Sequence, residues 1–259
     1  MVQTTNKSLL EPAYVLHQHP YRDSSLLLEV FSQHHGRVGL VARGVKRKNN
    51  PRRALLQPFI PLQLSWSGRG ELATVTDVEA NGAMHQLKGH VLLSGFYLNE
   101  LLLHLLHRHD PHPDLFDYYR YTLNQLGGIS SPDSEVWQLQ RCLRLFEKQL
   151  LQEIGYGLVL EYEADHGEAI DPAALYRYVL GQGPVRTNDR SNETNLLKGS
   201  SLLAFAERRL DDSYSLKDAK RLTRQVLDHY LAGKKLHSRQ LLQDLQRTAE
   251  AATLNKPQA

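Results

Sequence analysis

Apolar and polar residues alternate in short runs over the first 80 residues, which is the pattern of an all-β region. Clusters of turn-forming residues interrupt the runs at 19–20, 34–36 and 67–70. Alternation is clearest in the fourth run, where one face carries Ile60, Leu62, Leu64 and Trp66. The pattern predicts five strands, over Ala13–Gln18, Ser24–Ser32, Arg37–Arg43, Pro58–Trp66 and Glu71–Ala80.

Five short strands within about 70 residues favour a small closed barrel, and the five-stranded OB-fold is the commonest such barrel. After Gly82 the apolar period lengthens to about 3.6 residues, which indicates helices. The segment 156–194 is rich in Gly, Pro and Asn, and we expect it to be irregular apart from a short hairpin within 176–187. The helices are expected over 90–108, 113–126, 134–154, 200–210, 215–231 and 237–252.

Two helix starts carry recognisable capping residues. Ser131 precedes a proline and is expected to cap the helix over 134–154, while Ser215 and Asp218 have the spacing of a capping box. The prediction is an α+β chain in two domains. An N-terminal OB-fold barrel over 1–80 is followed by an all-helical domain over 81–259 that includes the irregular 156–194 insertion.

Several functional classes find no support in the sequence. No apolar run approaches the roughly 20 residues needed to span a bilayer, and the N-terminus has no apolar leader, so we expect a cytoplasmic protein. One cysteine, Cys142, excludes an internal disulfide. Phosphate-binding, dinucleotide-binding, zinc-protease and nucleophile-elbow motifs are missing from the sequence. We therefore expect neither an enzyme nor a bound cofactor.

Charge is distributed unevenly along the chain. Residues 1–80 hold ten Lys and Arg against six Asp and Glu, a surplus of +4, whereas the remainder holds 21 against 22. The surplus is concentrated between the third and fourth strands, where no acidic residue occurs between Arg37 and Phe59. Six cations occur in that segment, and Arg37 and Arg69 are expected to extend the patch. The six are Arg43, Lys46, Arg47, Lys48, Arg52 and Arg53.

A basic loop on an OB barrel favours binding of a nucleic acid strand over a merely solvated loop. Tyr21 or Phe31 could stack on bases, whereas Trp66 fits the core better. In the helices, the arginine pair Arg141 and Arg144 and a basic stripe on the 215–231 helix are equally compatible with ordinary solvation. The stripe consists of Lys217, Lys220, Arg221 and Arg224.

The histidine-rich stretch at 104–112 is a weak candidate for a metal site. His104 and His107 are three residues apart and could share an ion, but nothing in the pattern fixes further ligands. The favoured interpretation is a polar helix end. Cys142 lies among the apolar positions of its helix, which favours a buried small residue over a nucleophile.

Several stretches resemble the RecO family of bacterial DNA repair proteins. They include GRVGLVARGVKRK at 36–48, ALLQPF at 54–59, GRGEL at 68–72, LLSGFYLNELL at 92–102, RLFEKQLLQEIGYG at 144–157 and AKRLTRQVLDHYLAGKKLHSRQLL at 219–242. The similarity covers nearly the whole chain and keeps the family order. It implies an OB-fold joined to a helical domain, in agreement with the pattern above.

The resemblance also implies function and partners. Family members bind and anneal single-stranded DNA and, with RecR, help to load RecA on DNA coated by the single-stranded DNA-binding protein SSB. They also bind the acidic C-terminal tail of SSB. The alternative is an OB-fold protein that anneals RNA, because phosphate contacts do not read the 2′-hydroxyl. Binding of duplex DNA, the surface that RecR contacts and the oligomeric state stay open.

Two further expectations follow from the family. Some members hold zinc through four cysteines after GYG, but residues 158–172 contain no cysteine, so no structural zinc is expected. The SSB tail needs an apolar notch with a cationic rim. If the 134–154 and 215–231 helices pack together, the notch would use Leu143, Phe146, Leu222 and Val226, and the rim Arg141, Arg144, Lys217, Arg221 and Arg224.

Overall fold

A computed structural model describes residues 5–69, 72–129, 132–189, 195–242 and 244. Its contacts divide the chain into a first unit of residues 1–128 and 235–259 and a second unit of residues 129–234, and each is described by itself. The boundary expected after residue 80 divides the chain by its secondary-structure pattern rather than by its contacts. It stays a prediction. In the described part of the chain, no helix is long and apolar enough to cross a membrane.

The first unit contains a closed five-stranded barrel with the strand order β1-β2-β3-β5-β4. Neighbouring strands are antiparallel except β3 and β5, which pair in parallel. This arrangement confirms the predicted OB-like barrel. The strands are β1 (Thr5–Tyr21), β2 (Ser25–Ser32), β3 (Gly36–Ala42), β4 (Leu62–Arg69) and β5 (Leu72–Ala80).

The barrel closes over an apolar core that the alternation predicts. Leu62, Leu64 and Trp66 of β4 are buried together with side chains from all the other strands. Ser65 is an exception, because it belongs to the opposite face yet is buried. Its Oγ accepts a hydrogen bond from the Leu10 backbone N–H at 3.0 Å. The register of β4 against β5 shifts beside Ser65, and the hydroxyl satisfies a backbone group there.

Two long helices belong to the same unit as the barrel, α2 (Gly89–Leu105) and α3 (Pro113–Gly127), and a short one, α1 (Arg52–Leu55), lies between β3 and β4. Asn99 of α2 donates to the Leu16 carbonyl at 2.9 Å and accepts from the Tyr119 hydroxyl at 2.6 Å. These two bonds join α2 to β1 and to α3. The amide of Asn99 is thereby satisfied although it is buried.

The structure corrects the end of α2, predicted at residue 108. The helix ends at Leu105 because residues 108–109 turn towards β3, where the His109 N–H donates to the Arg37 carbonyl at 3.0 Å. The last predicted helix, 237–252, is helical at 237–242 and 244, and its remaining residues lie outside the described ones. Its first N–H groups donate to the Glu100 carboxylate.

In the described residues of the second unit, three helices combine with a small sheet. Its elements are α4 (Pro132–Glu153), β6 (Leu175–Val179), β7 (Gly183–Arg186), β8 (Leu196–Lys198), α5 (Gly199–Ala206) and α6 (Ser213–Tyr230). The predicted hairpin is confirmed as β6 and β7. β8 adds a third strand, so the region after the barrel is helical but not wholly so.

The cap of α6 differs from the prediction. Asp212, not Ser215, caps the helix, because its carboxylate accepts from the Tyr214 and Ser215 N–H groups at 2.8 and 2.9 Å. Hydrogen bonds from Ser215 and Tyr214 hold the pKa of Asp212 below its ordinary value. Ser215 is buried inside the first turn instead. The proposed cap of α4, Ser131, lies outside the described residues.

Candidate nucleic-acid interface

The segment between β3 and β4, residues 43–57, is here called the basic loop. Two apolar side chains anchor it to the barrel: Val45 is 2% exposed and Leu56 is fully buried, and both belong to the barrel core. The chain between these anchors lies on the surface. Gly44 precedes the first anchor with φ of +70°, a conformation that L residues rarely adopt. Apolar residues therefore fix both ends of a polar loop.

Hydrogen bonds fix the backbone between the anchors. The Lys46 N–H donates to the Ser24 carbonyl at 2.9 Å, which joins the loop to the turn between β1 and β2. The Asn50 side chain donates to the Gly44 carbonyl at 3.1 Å and accepts from the Arg52 N–H at 3.0 Å. Because these bonds tie the loop backbone to itself and to the neighbouring turn, the cations project from an ordered chain.

The loop cations are mostly free to face solvent. Arg43, Arg47, Lys48 and Arg53 are exposed, and Lys46 is half-buried. The sixth cation, Arg52, is exposed but pairs with Asp77 of β5 at 3.2 Å, with the side chains 44% and 51% exposed. The sequence suggests a loop with no neutralising acid, but in the fold Asp77 of β5 partly neutralises it. An exposed pair of this kind contributes little and is screened by salt.

The turn beside the loop adds Arg22, which the sequence did not single out, next to Tyr21, one of the two predicted stacking candidates. Arg22 is exposed in the β1–β2 turn, and its guanidinium lies 5.2 Å from the centre of the Tyr21 ring. Asp23, also exposed, accompanies it. Because the Lys46–Ser24 bond brings this turn to the loop, Arg22 and Tyr21 extend the surface. Only the fold reveals this, since the turn is more than 20 residues away in sequence.

Three other predicted residues lie elsewhere or are not described. Arg37 is the second residue of β3, about 20 Å along the chain from Arg43, which follows the strand. Its guanidinium donates to the Leu103 carbonyl and lies 3.8 Å from the Glu29 carboxylate, and burial lowers its pKa. Phe31 is fully buried, so it does not present a stacking face. The side chain of Arg69 lies outside the described residues.

The helices α4 and α6 pack together, which was the condition for the predicted SSB-tail site. The four residues of the predicted notch, Leu143, Phe146, Leu222 and Val226, are all buried. Val226 additionally lines a cavity of about 190 Å³, beside Tyr156 and Tyr230, whose rings stack at 3.7 Å. The apolar set is therefore mostly helix-packing core, and Val226 alone among the four also borders that cavity.

The predicted rim residues divide into two groups. Lys217, Arg224 and their neighbour Lys220 are exposed, and Arg224 lies 3.7 Å from the Asp228 carboxylate. Partial burial of the Lys220 ammonium and the nearby charge of Arg144 lower the pKa of Lys220. The other three are engaged within the unit. Arg144 is 6% exposed and paired with Glu147, Arg221 donates to Asp218 at 2.6 Å, and Arg141 donates to the Arg208 carbonyl at 3.1 Å.

The remaining candidates for chemistry show no built site. Among the described residues, no three His, Cys, Asp or Glu side chains are arranged to hold a metal ion. His112 faces Asp110 at 3.4 Å, while His107 and His109 are exposed. Burial raises the pKa of the half-buried Cys142 thiol, which favours the unreactive protonated form. The absence of zinc and of catalysis stays a prediction.

Two family models match the chain. The description Recombination protein O N terminal applies to residues 7–83 and Recombination protein O C terminal to residues 87–240. A DNA repair protein RecO of Nitrosococcus oceani is 48% identical over 239 residues, which cover 92% of this chain and 94% of that protein. A DNA repair protein RecO of Alkalilimnicola ehrlichii is 45% identical over 254 residues, covering 97% and 98%.

Proposed function

Because the chain belongs to the RecO family of DNA repair proteins, we propose that it is a recombination mediator that binds single-stranded DNA through the basic loop. In this proposal it anneals complementary strands and, with RecR, helps to load RecA onto DNA coated by SSB. It would act in the cytoplasm, at the nucleoid. The name of the family supports DNA over the RNA-annealing alternative.

The observation that carries the proposal is an ordered loop with exposed cations beside an OB-like barrel. Exposed Lys and Arg side chains attract phosphates and release condensed counterions on binding. Such contacts do not read bases, so binding does not depend on the DNA sequence and the base-pairing edges stay free. An ordered backbone presents the charges without the entropy cost of fixing a flexible segment on binding.

Annealing by this surface would need no covalent chemistry. Two strands repel each other through their phosphates, and cations that screen both strands lower the barrier to their encounter. The bases then pair by themselves. The role proposed for the protein is thus electrostatic and positional, in keeping with the expectation that it is not an enzyme.

For the SSB tail we propose a site on the second unit. The exposed cations Lys217, Lys220 and Arg224 would receive the acidic residues of the tail. The terminal aromatic ring would enter the cavity that Val226, Tyr156 and Tyr230 line. Arg144 would act indirectly, from within the α4–α6 contact, because Glu147 already engages its guanidinium. The proposed position of the ring is therefore this cavity and not the notch that the sequence suggested, because the notch residues are buried.

An affinity purification tests the class of function as a whole. The tagged full chain would be used as bait in a bacterial extract treated with nuclease, so that DNA cannot bridge unrelated proteins. We expect mass spectrometry to recover SSB and RecR. Recovery of ribosomal proteins without either partner would contradict the proposal and favour the RNA alternative.

A further inference from the structure

A second concave surface lies in the first unit, and none of the basic loop cations lines it. A cavity of about 410 Å³ opens where β5 ends and β4 begins. Its walls are the 81–86 segment, which links β5 to α2, and one face of α3. Two backbone hydrogen bonds hold that segment, from Asn81 to the Pro61 carbonyl at 2.7 Å and from His85 to the Phe59 carbonyl at 3.1 Å. The cavity is therefore preformed.

Uncharged hydrogen-bonding groups form much of the cavity lining. The Tyr14 hydroxyl lies 3.4 Å from Nε2 of His85. Burial lowers the pKa of His85 and raises the pKa of Tyr14 to about 12, so both are neutral at pH 7. Three side-chain amides, each with donors and an acceptor, complete the lining: Asn81, Gln86 and Asn124. Neutral donors and acceptors of this kind match the edge of a nucleobase.

Arg120 and Met84 give the cavity a charged rim and an apolar surface. Arg120 projects from α3, where it pairs with Asp117 at 2.9 Å, and its charge is close enough to act on the Tyr14 hydroxyl. Met84 is 51% exposed and offers its thioether to a flat ring. One cation beside a polar, partly apolar cavity suits one phosphate attached to one base.

The cavity also lies close to the basic loop along the chain. The loop ends at Gln57, and Pro61, four residues later, already lines the cavity. Four extended residues span no more than about 14 Å. A strand bound along the loop would therefore pass within reach of the cavity.

We propose that this cavity holds a single unpaired nucleotide of the bound DNA strand, with its base between Tyr14, His85 and Asn124 and its phosphate at Arg120. The inference rests on the proposed binding of single-stranded DNA and adds a base-dependent contact to it. One captured base fixes the strand against sliding, while the other bases stay available for pairing.

The test compares two ligands, a short oligodeoxythymidylate and an abasic strand of the same length, in fluorescence titrations of the full chain. A captured base should make the wild-type protein bind the thymidylate strand roughly tenfold more tightly, in line with the contribution of one protein-bound base. Asn124→Ala and His85→Gln should each reduce that ratio. Gln125→Ala, next to Asn124 on α3 but outside the cavity lining, is the matched control.

The outcomes separate the two proposals. An unchanged ratio in both Asn124→Ala and His85→Gln, in protein that circular dichroism shows to be folded, would overturn the nucleotide site and leave strand binding intact. Failure of the wild-type chain to bind either strand would overturn strand binding, and the nucleotide site with it. A ratio that falls in the two cavity variants and persists in Gln125→Ala supports the inference.

Discussion

Arg37 and Arg53 show how differently one residue type is used in the same barrel domain. Arg53 is exposed in the basic loop, whereas Arg37 is packed against Glu29, which Arg108 also contacts. Both arginines occur in the same acid-free stretch of sequence. The difference arises from a glutamate on the neighbouring strand and an arginine more than 70 residues away, so local charge pattern could not have revealed it.

Asp212 is a residue whose role can be measured in isolation. Asp212→Ala removes the side chain that accepts from two N–H groups at the start of α6, and we expect the free energy of unfolding to fall by about 1 kcal/mol. Urea denaturation measures the change. Asp211→Ala, one residue earlier and also exposed, is the control and should change stability by much less. Equal effects of the two substitutions would show that the cap does not stabilise the helix.

The burial of His85 should make the free energy of unfolding depend on pH. Burial lowers the pKa of His85 in the folded chain, so the unfolded chain binds its proton more readily. The contribution of neutral His85 is present above the ordinary histidine pKa of about 6.5 and is lost as the pH falls below it. Urea unfolding at about pH 8 and about pH 5.5 should show a loss of stability that is smaller in His85→Gln. An identical loss in both proteins would contradict this assignment.

At the scale of elements, periodic patterns predicted well what local sequence determines. The strands β2 to β5 and the helices α2, α3, α4 and α6 lie close to their expected positions, because each buries an apolar face with the period that the sequence shows. The prediction for β1 was too short: the strand begins at Thr5 rather than Ala13, because residues 5–8 pair with the end of β4. The misses depend on distant partners. The chain leaves α2 early to pair with β3, and β8 is three residues long, too short to show alternation.

Side-chain hydrogen bonds hold the segment between α4 and β6, for which the sequence predicted no zinc site. The buried Glu163 accepts from the Tyr176 hydroxyl at 2.9 Å, and that hydroxyl accepts from the Asp171 N–H at 2.9 Å. A second tyrosine, Tyr178, accepts from the Val159 N–H at 3.1 Å. Hydrogen bonds to two β6 tyrosines thus hold a segment that contains no cysteine.

The helix α6 carries the prediction for the SSB tail. Lys217→Ala and Arg224→Ala should each weaken binding of an acidic tail peptide with a free terminal carboxylate by about 1–3 kcal/mol, as for hydrogen bonds to charged groups. Arg144→Ala should weaken it as well but also lower stability, because it removes a partner from the buried Glu147. Isothermal titration of the peptide measures the affinity.

Arg177→Ala, an exposed arginine of the same unit that pairs with Asp189, is the control for this site. It should leave peptide binding unchanged. None of these substitutions should change the annealing of bare strands. Peptide affinity that is the same in wild type, Lys217→Ala and Arg224→Ala would remove α6 from the tail site.

For the molecule as a whole, the barrel, the helical region and the basic loop could be predicted from the sequence. The residues that border the basic loop in the fold could not. The loop was recognisable because its cations are contiguous in sequence. Three features could not be recognised in this way, because each depends on contacts between separate parts of the chain. They are the position of Arg22 beside the loop, the pairing of Arg52 with Asp77 and the cavity beside α3. Tertiary contacts, rather than composition, decide which charges reach solvent.

The central claim is that the basic loop binds the phosphates of single-stranded DNA. Its most direct test is the salt dependence of strand affinity in wild type and in a variant with Arg47, Lys48, Arg52 and Arg53 changed to Ala. A control removes equal charge elsewhere through substitution of exposed Lys7, Arg177, Arg209 and Lys235. If all four loop cations contact phosphates, the slope of log affinity against log salt should fall by about 3 units in the loop variant, at about 0.7 per contact, and stay near wild type in the control. A loop variant that folds and keeps the wild-type slope would contradict the claim.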